Sequence, residues 1–300
     1  MEGEGEQTSV RRPLKFMIAV DGSDASEIAY QLVAKDLFKD KNDDEGVEDH
    51  IVIGTVTDKK KDNYLPYNMK SNYLSDCYRA KLIQFGTHGS FVSQENEHKV
   101  PVKQMIWEMT ENEKCDLIVT GNHGRKGPKA DETVCGTLIE HTATSQTFPV
   151  LIIKDNVERR NKADQLFRFG VCFDNSEKSR KALKVTLNLM RQKDKLAVIT
   201  VKDSAKLSED FVKKYVHDEA AKFGVSNVTV NVLEEEEGKS TYQLIKHYLK
   251  YEASEKDNYI DFVAVGNGGM RFDSSDAKDF LGSVANSVLR ARRMNVLFVP

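Results

Sequence analysis

Two aspartates and two glycine-rich turns carry most of the chemistry this sequence offers. Asp21 closes the apolar run KFMIAVD, and Asp174 closes FRFGVCFD. Downstream, the turn GNHG supplies Gly121 and Gly124, and the turn GNGG supplies Gly266 and Gly269, each at the end of another apolar run. After each turn a glycine and a hydroxyl precede a helical pattern, as Gly136-Thr137 and as Gly282-Ser283. Glycines allow a backbone to approach a ligand without side-chain obstruction. A hydroxyl at a helix start adds free N–H groups and a favourable dipole for phosphate. The chemistry implied is the binding of a phosphate group.

Other constellations fail on spacing. Gly238-Lys239-Ser240 resembles the end of a P-loop, but Leu233 stands where that motif requires glycine, and Glu234–Glu237 would repel a triphosphate. The segment reads instead as a helix start. His88 and His123 have no second histidine at metal-ligand spacing, so no metal site is predicted. The Gly-x-Ser-x-Gly elbow is absent. No catalytic residue is assigned, and the chain is read as a non-enzyme or a very slow hydrolase.

The elements that must position these residues occur twice. KFMIAVDGSDAS parallels FRFGVCFDNSEKS, IVIGTVTD parallels LAVITVKD, and NYLSDCYRAKLIQFG parallels DFVKKYVHDEAAKFG. CDLIVTGNHG then parallels IDFVAVGNGG, and PVLIIK parallels NVLFVP. Landmarks repeated in one order mark an internal repeat. Helical stripes run through Ala29, Leu32, Val33 and Leu37 in one half and through Leu183, Leu187 and Met190 in the other, with starts near Ser23 and Ser176. Trp107, with Met105 and Met109, reads as a helix packed on the sheet. Runs 16–20, 117–120, 169–173 and 261–265 are continuously apolar, which suits parallel strands buried on both faces. Strand–helix alternation predicts an α/β fold of two repeated, doubly wound domains with five-stranded parallel sheets. The boundaries are a disordered tail over 1–12, a first domain over 13–155, a charged linker over 156–165 and a second domain over 166–300. The loop 39–46 and the lysines 59–61 read as solvated.

Across nearly all of both halves the sequence resembles the universal stress protein family in its tandem, two-domain form. The resemblance implies a Rossmann-like fold of the adenine nucleotide alpha hydrolase type. It also implies a loop of the form Gly-x2-Gly-x9-Gly-Ser/Thr that binds an adenine nucleotide. Carried over by position, the first site would use Asp21, Val56, Gly121, Gly124, Gly136 and Thr137. The second would use Asp174, Val201, Gly266, Gly269, Gly282 and Ser283. The ligand implied is ATP or another adenine nucleotide, with Mg2+ as an optional companion. Both loops depart from the pattern: eleven residues separate Gly124 from Gly136 and twelve separate Gly269 from Gly282. Asp131, Glu132, Asp273, Asp276 and Asp279 stand in those loops, opposed by Arg125, Lys126, Lys129 and Arg271.

The resemblance also implies pairing of the last strands, 149–154 and 295–300, as an intramolecular pseudo-dimer. The function expected is a nucleotide-responsive regulator in the stress response. The alternative is a structural or adaptor subunit of a larger protein assembly with degenerate sites. A formal charge of -3 with interspersed lysines and glutamates gives no footprint for nucleic acid or an anionic membrane. The start MEGEGEQTSVRR lacks the apolar core of a secretory signal, and four dispersed cysteines suit a reducing compartment, so a cytoplasmic protein is expected.

Overall fold

The computed structural model describes residues 11–40, 47–125, 127, 147–154, 157–158, 164–202, 208–253, 259–267, 282–290 and 294–300. Strand β1 (Lys15–Ala19) leads through the Ser23 N-cap into α1 (Asp24–Leu32), which continues as a π-helical turn, Val33–Leu37. Then come β2 (His50–Thr57), the single turn α2 (Lys59–Asp62), α3 (Ser71–Phe85), β3 (Gly89–Glu95), α4 (Val102–Asn112), β4 (Leu117–Gly121) and β5 (Val150–Ile153). The second half repeats the order with β6 (Arg168–Cys172), α5 (Glu177–Leu189), β7 (Lys195–Val201), α6 (Glu209–Lys222) and β8 (Val228–Leu233). It ends with α7 (Thr241–His247), β9 (Phe262–Gly266), α8 (Ser283–Leu289) and β10 (Asn295–Val299).

Local signals explain these bounds. Ser23 and Ser176 cap α1 and α5 by accepting from Ser26 N–H and Ser179 N–H. Gly86, at φ 62°, ends α3 in the left-handed conformation. The lysines 59–61 are exposed, but they form the helical turn α2, because Asp58 accepts from the N–H groups of Lys60 and Lys61. Ser240 starts α7 with a capping box to Gln243, as expected for a helix start rather than a phosphate loop.

All ten strands join one sheet in the order β3-β2-β1-β4-β5-β10-β9-β6-β7-β8. Neighbours are parallel except at the centre, where β5 and β10 run antiparallel with Leu151 opposite Leu297. Helices lie on both faces, so each half is doubly wound. On one face α1, α3, α5 and α6 bury Tyr30, Tyr78, Leu183 and Val216 over Leu151, Phe169 and Leu297. On the other, α4, α7 and α8 bury Trp107, Ile245 and Val288 over Val150, Ile152 and Phe298. Each hydrophobic cluster takes residues from both halves.

Buried aspartates pin the amino-terminal ends of the strands. Asp49 accepts from Leu14 N–H (2.8 Å) and Lys39 N–H (3.0 Å). Its counterpart Asp194 accepts from Phe167 N–H (3.0 Å) and Arg191 N–H (2.8 Å). Both are fully buried. Asp116 and Asp261 hold Lys15 N–H and Arg168 N–H in the same way, each at 2.8 Å. Burial pushes the Asp49 carboxyl above the usual carboxylate range, against the pull of Lys39. Asp49→Ala and Asp194→Ala should each cost roughly 2–4 kcal/mol, because two buried donors lose their acceptor. Urea denaturation checks this; midpoints unchanged from wild type would show that water replaces the carboxylates.

Two stretches differ from the sequence expectation. Arg11 and Arg12, at the end of the expected disordered tail, are held against the second half. The Arg11 guanidinium donates to the Met190 carbonyl and to the Phe223 carbonyl (3.3 Å). Arg12 exchanges backbone hydrogen bonds with the Asn188 amide (3.0 and 3.1 Å). Lys39, at the start of the loop read as solvated, is 1% exposed and donates to the Asn188 carbonyl at 2.6 Å. These cations meet the carboxyl-terminal end of α5, where free carbonyls and the helix dipole favour positive charge.

Candidate functional site at the carboxyl ends of the strands

Parallel registers set where the site forms. Ala19 pairs with Gly54 and Ile18 with Val119, so the ladder continued upward puts Asp21 beside Val56 and Asn122. The edge of three loops thus lies at the carboxyl ends of β1, β2 and β4, where open α/β sheets bind ligands.

Asp21 is the organising group. Its Oδ1 accepts from Ser23 N–H (3.0 Å) and from the Ser23 hydroxyl (2.6 Å), which also holds the start of α1. Its Oδ2 accepts from Arg125 N–H at 2.9 Å. Gly124 lies directly against this carboxylate: a Cβ there would stand 2.7 Å from Oδ2. The Arg125 side chain turns back across the loop. Its Nε donates to the Asp21 carbonyl (2.5 Å) and a terminal nitrogen donates to the Met69 carbonyl (3.2 Å). Gly22 adopts φ +82°, and a Cβ there would meet Asn68 O at 2.9 Å. The short 3₁₀ turn Tyr67–Met69 therefore sits on Asp21–Gly22. Arg125, expected to attract phosphate, has its guanidinium engaged by two backbone carbonyls instead.

Gly121 has a packing role of its own. A Cβ there would fall 2.6 Å from the Ala25 carbonyl group. Glycine at this position lets the first turn of α1 press on the end of β4. Gly266 has the same role, with the Lys178 backbone 2.7 Å from the added atom. At both glycines the direction a side chain would take is filled by helix backbone.

In the second half Cys172 pairs with Ile199 and Val171 with Ala264, which puts Asp174 beside Val201 and Asn267. Asp174 Oδ1 accepts from Ser176 N–H at 3.0 Å, repeating the first-half arrangement. Asn175 takes the left-handed conformation (φ 65°) that Gly22 takes in the first half, and its side chain accepts from Arg180 Nε at 2.9 Å. The space beside Val201 is net acidic: a cavity of about 240 Å³ has three glutamates, Glu235, Glu236 and Glu237, and one cation, Lys239, in its lining beside Val201 and Thr241. Lys202 pairs with Glu234 at 3.0 Å, and Lys239 pairs with Glu236. Ser283 opens α8 with Gly282 as its N-cap. Gly136, Thr137 and Gly269 lie outside the described residues.

Residues 14–154 match the sequence profile of the Universal stress protein family. Over that stretch the chain is similar to the universal stress protein family. Among solved structures, a universal stress protein from Archaeoglobus fulgidus DSM 4304 matches with 16% identity, 96% of each chain covered and a TM-score of 0.60. A functionally unknown protein from Pseudomonas aeruginosa PAO1 matches with 14% identity, covering 97% of this chain and 92% of its own, also at a TM-score of 0.60. At these identities the likeness is one of fold, and it runs through both halves. No curated protein matches the sequence.

In the first half, then, three of the carried-over positions converge: Asp21, Val56 and Gly124. Gly121 stands behind them as a packing residue. Sequence reasoning missed the bridge from Asp21 through Arg125 to Met69, since a basic residue after a glycine turn gives no sign of which way its side chain folds. Among the described residues no group of His, Cys, Asp and Glu could hold a metal ion, and no helix is long and apolar enough to cross a membrane. Cys115 and Cys172 are buried thiols pushed up to about 12 by desolvation, so they serve packing rather than reactivity.

Proposed function

We propose that the chain is a nucleotide-responsive regulator that binds an adenine nucleotide in its first half, without rapid turnover. The observation that supports this most is the contact of the Asp21 carboxylate with Gly124, which joins two family anchors distant in sequence. The carboxylate is already oriented by Ser23 and Arg125 N–H, and it retains acceptor capacity for sugar hydroxyls. The end of β2 at Val56 would supply backbone groups to the base. ATP is the first candidate ligand, with Mg2+ accompanying a triphosphate.

Regulation requires that the ligand bind two states unequally. The Arg125 guanidinium supplies a connection, because it ties the Asp21 carbonyl to Met69 in the segment that follows β2. A ligand that moves Asp21 would shift that segment. In this reading the two halves act as one tandem body, an internal pseudo-dimer through β5 and β10. The adaptor reading is favoured for the second half, where the glutamates beside Val201 would repel phosphate.

Isothermal titration with ATP, AMP and cyclic AMP tests the proposal. One nucleotide per chain is expected. Asp21→Ala should weaken binding at least about tenfold, the scale of one lost charge-assisted hydrogen bond, while Asp174→Ala leaves it unchanged. Folded protein that binds none of the three at millimolar concentration would remove the regulator reading and leave the adaptor.

A further inference from the structure

One outer edge of the sheet is built as a pairing template. Strand β8 has the sequence VTVNVL, with no charge, proline or glycine. Its ladder to β7 fixes which backbone groups are used. Leu196 N–H donates to the Asn227 carbonyl and Lys202 N–H to the Leu233 carbonyl, both at 2.8 Å. In a parallel ladder of this register, Thr229, Asn231 and Leu233 face β7. Val230 and Val232 therefore turn their N–H and C=O groups away from the sheet, and among the described residues no backbone hydrogen bond engages them. Natural edge strands are usually blunted by charge, proline or a bulge. The opposite edge, β3, follows that rule: it opens on Gly89 and closes on Glu95, which is ion-paired with Lys59 at 2.5 Å.

What would pair with β8 is decided by charge. The strand runs straight into Glu234–Glu237; three of these glutamates line the cavity beside Val201 against one lysine, Lys239, which pairs with Glu236, so the opening stays net negative. A strand laid along β8 would carry its end residues past that acidic opening. A second copy of the chain, paired antiparallel on β8, would bring no lysine or arginine of its own β8 there, since the strand has none. We infer that β8 is a docking edge for an extended segment of another protein, which adds a strand at Val230 and Val232 and places a lysine or arginine beside Glu235–Glu237. Main-chain pairing would give the affinity and the acidic end the selectivity. This inference is independent of nucleotide binding.

The test uses the full chain and fluorescent peptides with a Val-Thr-Val-Thr-Val body, carrying Arg-Lys at the amino end or at the carboxyl end. Two controls accompany them: the Glu-Glu counterparts, and peptides N-methylated at alternate residues on either edge. Fluorescence anisotropy should show saturable binding of at least one basic peptide. Affinity should fall about tenfold or more for the Glu-Glu peptides, and for one N-methylated version, which keeps charge and side chains but loses donors. In the protein, Glu235→Gln with Glu236→Gln and Glu237→Gln should weaken binding similarly. Val230→Pro removes an outward donor and no ladder bond, and it should abolish binding in protein that stays folded, whereas Val230→Ala, which loses the same packing against the core but keeps the donor, should still bind. Equal binding of acidic and basic peptides, binding indifferent to both N-methylation patterns, or no binding at millimolar peptide would each overturn the inference. So would concentration-dependent dimers, seen by light scattering, that Val230→Pro dissolves, because they would give the edge to a second copy.

Discussion

Replacing Leu297 by aspartate is expected to unfold the entire chain rather than release two intact halves. Leu297 is 1% exposed and pairs with Leu151 at the one antiparallel junction of the sheet. Its side chain belongs to a cluster that also holds Ile153, Val119, Phe169 and Ala264, so strands from both halves share it. An ionised carboxylate there has neither water nor a cation, and the group would take up a proton at a cost of several kcal/mol instead. Added to the lost apolar contacts, about 2–5 kcal/mol by analogy with leucine-to-alanine changes, this rivals the whole stability of a typical domain, about 5–15 kcal/mol. Leu297→Ala is the graded control, and it should remain folded with a lower denaturation midpoint. Circular dichroism with urea titration reads both. A Leu297→Asp chain that keeps near-wild-type ellipticity and unfolds in two separate transitions would show that each half stands alone, and the shared core would then carry far less weight than its burial indicates.

The periodic part of this architecture is legible in the sequence. Continuous apolar runs became central strands such as Ile18 and Val119, each fully buried. Ser23, Ser176 and Gly86 punctuated helices where cap chemistry requires it. These signals are local, so sequence carries them intact. What stayed hidden depends on distant partners. Lys39 reads as a loop lysine until α5 arrives beneath it with the Asn188 carbonyl. Asp49 and Asp194 carry no signal in the local sequence, yet each accepts two backbone N–H groups from the bottom of the sheet. At the site the aspartates and glycines were found by position, whereas the space around each glycine was not. Spacing says that a Cβ is missing, and only packing says what the gap is for.

That distinction makes Gly121 and Gly124 a discriminating pair. Gly121→Ala should destabilise the protein by about 2–3 kcal/mol, the usual range for overpacking, because the new atom would lie 2.6 Å from the Ala25 carbonyl group and helix backbone cannot swing aside. Any loss of nucleotide binding in this variant would track the loss of folded protein. Gly124→Ala meets something quite different: the tip of one side chain, Asp21 Oδ2, at 2.7 Å, and among the described residues no backbone within 4 Å. The carboxylate can rotate away without moving any helix backbone, at the cost of its bond from Arg125 N–H, about 1.5 kcal/mol. Rotation also turns the acceptor from the sugar it is proposed to hold. Nucleotide affinity should therefore fall about tenfold in protein that stays folded, with a smaller drop in urea midpoint than Gly121→Ala shows. If instead Gly121→Ala keeps its stability and loses the ligand, α1 must yield at Ala25, and the strand end would be open to the nucleotide after all. If Gly124→Ala binds as tightly as wild type, Asp21 is a cap for α1 through Ser23 and the ligand, if any, is held by other groups.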